Sequence, residues 1–269
     1  MVAIARPSAS DMPFAGLSAL RDKAIPDLGS ARGYRTTPID FDGARNVEPL
    51  VRADAFGIAG ENYYAATRNP PYYGAIPGAI DALIVRQGVA ERLARVNEKL
   101  NAVDLELFLF DGWRPQAVQA YFHDVWLPAE LRCRKPGISE ADLLTEVETY
   151  WAAPTTDRAS PSPHSTGGAV DLTIRWRDGE QLWMGSLFDD ASPLAHTARF
   201  ETTIGDFSFS DEEARANRRL LFWLLREVGF AANPTEWWHH SHGDQMWAML
   251  TGTPAALYAG ADYAESLGA

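Results

Sequence analysis

Residues 162–174 read SPHSTGGAVDLTI: a histidine, a glycine pair, and then an aspartate inside an otherwise apolar, strand-like run. A carboxylate buried in such a strand is costly unless something positive neutralises it. Asp171 is therefore either exposed or faces a cation. Any fold for this chain has to satisfy one of those two conditions, and the remaining residues bear on which.

At 269 residues and 46% hydrophobic, the chain can bury a sizeable core in one large domain with elaborations. Its 36 acidic residues outnumber 24 basic ones, and no basic run offsets the excess. Nucleic acid and anionic membranes are therefore not expected partners, and a small substrate is the default. The first twenty residues lack a basic segment followed by an apolar run, and no stretch is long and apolar enough to span a bilayer, so a cytoplasmic location is expected. Cys133, the single cysteine, lies between two arginines and reads as incidental.

Residues 1–35 mix Pro, Ser, Gly and Ala without a period and read as an N-terminal arm or irregular cover, with one domain over 36–269. AIDALIVRQGVAERLARVNEKL, residues 79–100, has helical spacing and predicts a helix interrupted or bent near Gly88. LELFLFDGWRP, residues 105–115, predicts a strand ending at Asp111, a corner at Arg114, and a helix starting after Pro115. AVDLTI and QLWMG, separated by RDG, predict a hairpin. Ser210 and Glu213 fit a capping box for a helix running to about Val228, with Gly229 as its stop. The order predicts an α+β fold with an antiparallel sheet core and flanking helices.

Three of the six histidines fall in EWWHHSH: His239, His240 and His242. A catalytic zinc site takes three protein ligands and keeps one position open, and His164, Asp171 and His239 would make such a set. Side chains alternate along a strand, so His239 and His240 cannot both face one ion without a bulge. Taken singly, each histidine is more often a packing or surface group, and His123 and His196 keep that reading. Glu236, three residues before His239, could serve as general base. Arg114 is a fixed fork of donors suited to an oxyanion or a carboxylate, though a corner arginine paired with Asp111 has the same sequence. Asp189 follows an apolar strand, where a solvated acid would be ordinary.

Taken in order, DGWRP, SPHSTGGAVDLTI, MGSLFDD and EWWH resemble the D-alanyl-D-alanine dipeptidases of the VanX type, within the LAS zinc peptidases. The four motifs span roughly residues 108–247. The resemblance implies one zinc ion per chain held by His164, Asp171 and His239. Zinc-bound water would be the nucleophile, with Glu236 as the base. It further implies that Arg114 stabilises the tetrahedral intermediate, that Ser162 and Asp189 contact substrate, and that Asp189 meets a free ammonium group. The implied fold is that of the LAS and hedgehog-type zinc domains, and the implied partner is a small dipeptide from cell-wall chemistry.

The chain is longer than compact members of that family, with extra sequence before Asn62, between Asp189 and Ser210, and after Trp247. These segments could cap the pocket or form a homo-oligomer interface. Tyr63, Tyr64, Tyr72 and Tyr73 could wall the pocket or simply fill the core. Two alternatives stay open from sequence: a D,D-carboxypeptidase or other cell-wall peptide hydrolase, which the missing export signal argues against, and a zinc-retaining binding module. A binding module would have no need of both Glu236 and Arg114.

Overall fold

The computed structural model describes residue 14 and residues 16–202 and 207–263. In chain order the main elements are α1 (Ser18–Asp22), β1 (Leu50–Arg52), β2 (Ala59–Gly60), β3 (Ile84–Arg86), α2 (Gln87–Asn101), β4 (Leu105–Asp111) and α3 (Gln116–Tyr121). They continue with α4 (Leu127–Arg134), α5 (Glu140–Tyr150), β5 (Ala169–Trp176), α6 (Phe209–Glu227), β6 (Ala231–Ala232), β7 (His239–Ser241) and α7 (Gln245–Thr251). The expected α+β class holds. Five strands form the central sheet in the order β2-β4-β5-β7-β6, antiparallel throughout except for β2, which runs parallel to β4 at one edge.

Cross-strand register explains why β5 is buried over most of its length. Leu107 pairs with Ile174 and Leu109 with Leu172, which places these four fully buried side chains on one face. They join Leu93, Val96 and Leu100 of α2 and Leu220, Leu221, Leu224 and Leu225 of α6 in one core. The opposite face of the same two strands carries Glu106 and Arg175, an ion pair at 2.6 Å, and then Asp171. An irregularity between Leu109 and Asp111 brings Asp111 opposite Asp171, which in turn pairs with His239 of β7. Three chemistry-bearing residues therefore stand in one row across three strands.

Four local expectations need correction. The helix expected over 79–100 begins only at Gln87. The β-branched Ile84 and Val85 instead pair as β3 with β1, so the interruption falls just ahead of Gly88, which sits in the first helical turn. A side chain at Gly88 would strike the Glu48 carboxylate. The hairpin forms, but its return strand is short: an Arg175–Gln181 bridge flanked by bonds from Trp176 N to Glu180 O and from Leu182 N to Ile174 O. Beyond it, side chains of α6 take the carbonyls, Asn217 bonding Trp183 O and Arg218 bonding Met184 O. Part of the N-terminal segment is helical (α1) and is fastened to α6 by Arg21, while residues 1–13 of the expected arm lie outside the described residues.

The fourth correction concerns the cap of α6. The reciprocal bonds are made by Ser208 and Asp211, two residues before the expected pair, because Glu213 is engaged by Arg21 at 2.9 Å. Ser208→Ala should lower stability by about 1 kcal/mol, and Ser210→Ala should stay within about 0.5 kcal/mol of wild type. Thermal denaturation of the two variants side by side checks this, and the reverse order would restore Ser210 as the cap.

Candidate metal centre

His164 is delivered by a single 3-10 turn, His164–Thr166, that ends at Gly167 in the left-handed region (φ 73°). Gly168 then has no room for a side chain, because a Cβ there would meet the His242 carbonyl. The glycine pair thus lets the chain reverse sharply enough to place His164 beside Asp171 on the strand that follows. His164 Nδ1 donates to Gly112 O at 2.8 Å, which leaves Nε2 as the free lone pair.

Three donor atoms converge. His164 Nε2 lies 3.1 Å from His239 Nδ1 and 3.3 Å from Asp171 Oδ2, and His239 Nδ1 lies 3.2 Å from Asp171 Oδ1. Zinc bonds of about 2.0–2.1 Å in a tetrahedron set ligand atoms about 3.3 Å apart, so this spacing suits the ion. Asp171 Oδ1 is buried and lacks a hydrogen bond, which is the state a cation would relieve. Burial alone would push the Asp171 carboxyl up, but His164 and His239 outweigh it and hold it well below the ordinary range. The residues therefore fit a zinc ion. His240, the next residue along β7, is buried and turned away, and burial pushes its imidazole down to about 3. His242 Nδ1 bonds Gly229 O at 2.9 Å and takes no part in the cluster.

Around this cluster, Glu236 Oε2 lies 3.7 Å from His239 Nδ1 and receives Asn233 Nδ2 at 2.8 Å. Burial, and next the negative charge of Asp171, push the Glu236 carboxyl up to about 8. Arg114 makes the expected corner pair with Asp111 and also reaches a second carboxylate. It donates from Nε to Asp111 at 2.7 Å, and from Nη2 to Asp171 at 3.0 Å and Tyr64 at 3.2 Å, while Nη1 reaches Gln119 at 3.1 Å. Ser162, His164, Asp171, Asp189, Glu236, His239 and Arg114 all line one cavity of about 500 Å³.

Asp189 is held by residues that sequence reasoning left ambiguous. Tyr64 and Tyr72 each donate to its Oδ2 at 2.9 Å, from more than a hundred positions away, while Tyr73 points to solvent. Both bonds fall on one oxygen, so Oδ1 keeps its lone pairs. Burial, and then the charge of Asp171, push the Asp189 carboxyl up to about 8. Asp111, Gln119 and Asn233 were not anticipated as part of the site. Asp111 alone had a visible signal, its place at the strand end three residues before Arg114.

Comparison with known proteins gives a consistent result. The family model described as D-ala-D-ala dipeptidase matches residues 57–254. A D-alanyl-D-alanine dipeptidase of Synechocystis is 28% identical over 229 residues, covering 80% of this chain and 85% of the relative. One from Enterococcus faecalis is 30% identical over 172 residues, covering 62% and 76%. Among solved structures, VanYB in complex with D-Alanine-D-Alanine aligns with a TM-score of 0.40 at 17% identity, over 68% of this chain and 90% of that one.

Proposed function

The chain belongs to the D-ala-D-ala dipeptidase family of metallopeptidases, and from that premise we propose that it hydrolyses a small free dipeptide, D-Ala-D-Ala foremost, at a zinc ion held by His164, Asp171 and His239. The observation that carries this reading is the convergence of three buried donor atoms 3.1–3.3 Å apart, with an orphaned Asp171 oxygen among them. When bound, zinc supplies the positive charge that polarises a scissile carbonyl and makes water easier to deprotonate.

The chain's own side chains supply the remaining chemistry. Glu236 accepts the proton of the attacking water and returns it to the leaving amine, and Asn233 fixes its Oε2 for both transfers. Arg114 holds Asp171 in place and presents its guanidinium to the cavity where oxyanion charge develops. Asp189, with both tyrosine bonds on Oδ2, directs Oδ1 at the substrate ammonium. A peptide with an acylated amine offers only a neutral amide there, so the carboxylate loses its partner and selectivity for free dipeptides follows. Ser162, two residues before His164 and buried at the cavity wall, is a further substrate contact.

Amine release from D-Ala-D-Ala, L-Ala-L-Ala and N-acetyl-D-Ala-D-Ala, with and without chelator and added zinc, tests the reading. Chelator-sensitive cleavage of the free D,D-dipeptide alone is expected, and Asp189→Asn should lower its kcat/KM by about 10- to 100-fold. Equal cleavage of the acetylated compound would make the protein a carboxypeptidase. A zinc-loaded protein inert on all three would end the dipeptidase proposal.

A further inference from the structure

A dipeptide is a zwitterion, and the site as described answers only one of its charges. Asp189 suits the ammonium, whereas Arg114 spends four of its five N–H groups on Asp111, Asp171, Tyr64 and Gln119 and is left with one, which the developing oxyanion would use. The cavity is also lined by residues 29–35, which precede the stretch matched to the family, residues 57–254.

This segment is fixed rather than loosely laid over the opening. Tyr34–Thr36 form one 3-10 turn entered through Gly33 in the left-handed region. Gln245 of α7 donates to the carbonyls of Arg35 and Thr37 at 3.0 and 2.6 Å. Arg35 Nη2 donates to Ala153 O at 2.6 Å. Two strong donors nevertheless lack an acceptor: Arg35 Nε and Tyr34 Oη are buried with no hydrogen bond of good geometry, and the neighbouring Arg35 guanidinium, itself only a donor, leaves the Tyr34 hydroxyl proton unused. Among the described residues no carboxylate lies within ion-pair distance of Arg35, although the chain carries 36 acidic residues against 24 basic ones. Leaving such donors buried and unpaired is costly, so they call for an acceptor supplied from outside the chain.

We propose that Arg35 and Tyr34 form the subsite for the free carboxylate of the substrate, in the same cavity as the ammonium subsite at Asp189. This rests on the dipeptidase reading and adds to it a specificity element outside the family-matched region. A carboxylate has two acceptor oxygens, enough for the guanidinium Nε–H and the phenol together. Burial pushes the Tyr34 hydroxyl up to about 12, so it remains a donor at neutral pH. The two subsites bracket a molecule with both termini free and admit neither an acylated amine nor a blocked carboxyl.

The test compares D-Ala-D-Ala with its C-terminal carboxamide in steady-state kinetics, using full-length wild type, Arg35→Gln, Arg35→Lys and Tyr34→Phe, each confirmed as folded by its thermal transition. In Arg35→Gln, KM for the free acid should rise about 10- to 100-fold with kcat within about threefold, while KM for the carboxamide stays within about twofold. Arg35→Lys should recover part of the loss, and Tyr34→Phe should show a smaller shift of the same kind. Equal losses on acid and amide, or none on either, would overturn the subsite. If wild type turns over neither compound, calorimetric titration of Glu236→Gln and Glu236→Gln/Arg35→Gln with the same two ligands separates the questions. Weaker binding of the acid alone in the double variant would support the subsite even though the dipeptidase reading had failed, and absent or equal binding would overturn it.

Discussion

Glu236→Gln is expected to lower kcat on D-Ala-D-Ala by about 10²- to 10⁴-fold while the protein still takes up one zinc ion per chain. The carboxylate stands beside the ligand cluster, 3.7 Å from His239 Nδ1, and its Oε2 is oriented by Asn233 rather than by a ligand. Glutamine keeps the shape and the contact with Asn233 but cannot accept a proton. The loss should therefore fall on kcat, with KM little changed, because the interaction removed is used mainly in the transition state. A second signature is the pH profile. Only the ionised form accepts a proton, so wild-type kcat falls about tenfold per unit below the Glu236 pKa of the zinc-loaded enzyme, a value that burial raises and the positive charge of zinc lowers. The residual rate of the glutamine variant should lack this limb. A variant that loses zinc along with activity, or keeps wild-type kcat, would remove Glu236 from the role of base.

The parts of this architecture visible in the sequence are those that local geometry dictates. Strand alternation required that only one of His239 and His240 face an ion, and His240 is indeed turned away. The corner at Arg114 and the glycine turn after His164 followed from short-range turn chemistry. Long-range choices left no such mark. Nothing in LELFLFD announces that a strand irregularity will set Asp111 opposite Asp171, and nothing in NYYAATRNPPYY distinguishes the two tyrosines that clamp Asp189 from the one left in solvent. The cap of α6 was misplaced because two serine–acid pairs two residues apart satisfy the same local rule, and Arg21, nearly two hundred positions away, decides between them. Residues 29–35 lack a period altogether, so their place on the cavity wall follows from tertiary packing alone.

Arg114→Gln is expected to destabilise the metal-free protein by about 3–5 kcal/mol as well as slowing the reaction. The guanidinium is 6% exposed and bridges two carboxylates, Asp111 and Asp171, that are 1% and 2% exposed. Removing it strands both charges where water cannot reach them. Asp111 suffers most, because burial already raises its carboxyl and Arg114 is the largest influence opposing that rise. The penalty applies to the ionised form. It is therefore fully present above the folded-state pKa of Asp111 and shrinks as pH falls through that value, so the gap to wild type should be narrower at an acidic pH than at a neutral one. Zinc should narrow it too, by placing positive charge against Asp171. Arg114→Lys keeps the charge but cannot span Asp111, Asp171, Tyr64 and Gln119 at once, so it should recover part of the stability and little of the rate. Thermal denaturation at the two pH values, with zinc and with chelator, reads the stability terms, and kcat on the zinc-loaded variants reads the catalytic one. Unchanged stability would mean that the two carboxylates are protonated or otherwise paired. Unchanged kcat would confine Arg114 to holding the ligand row together.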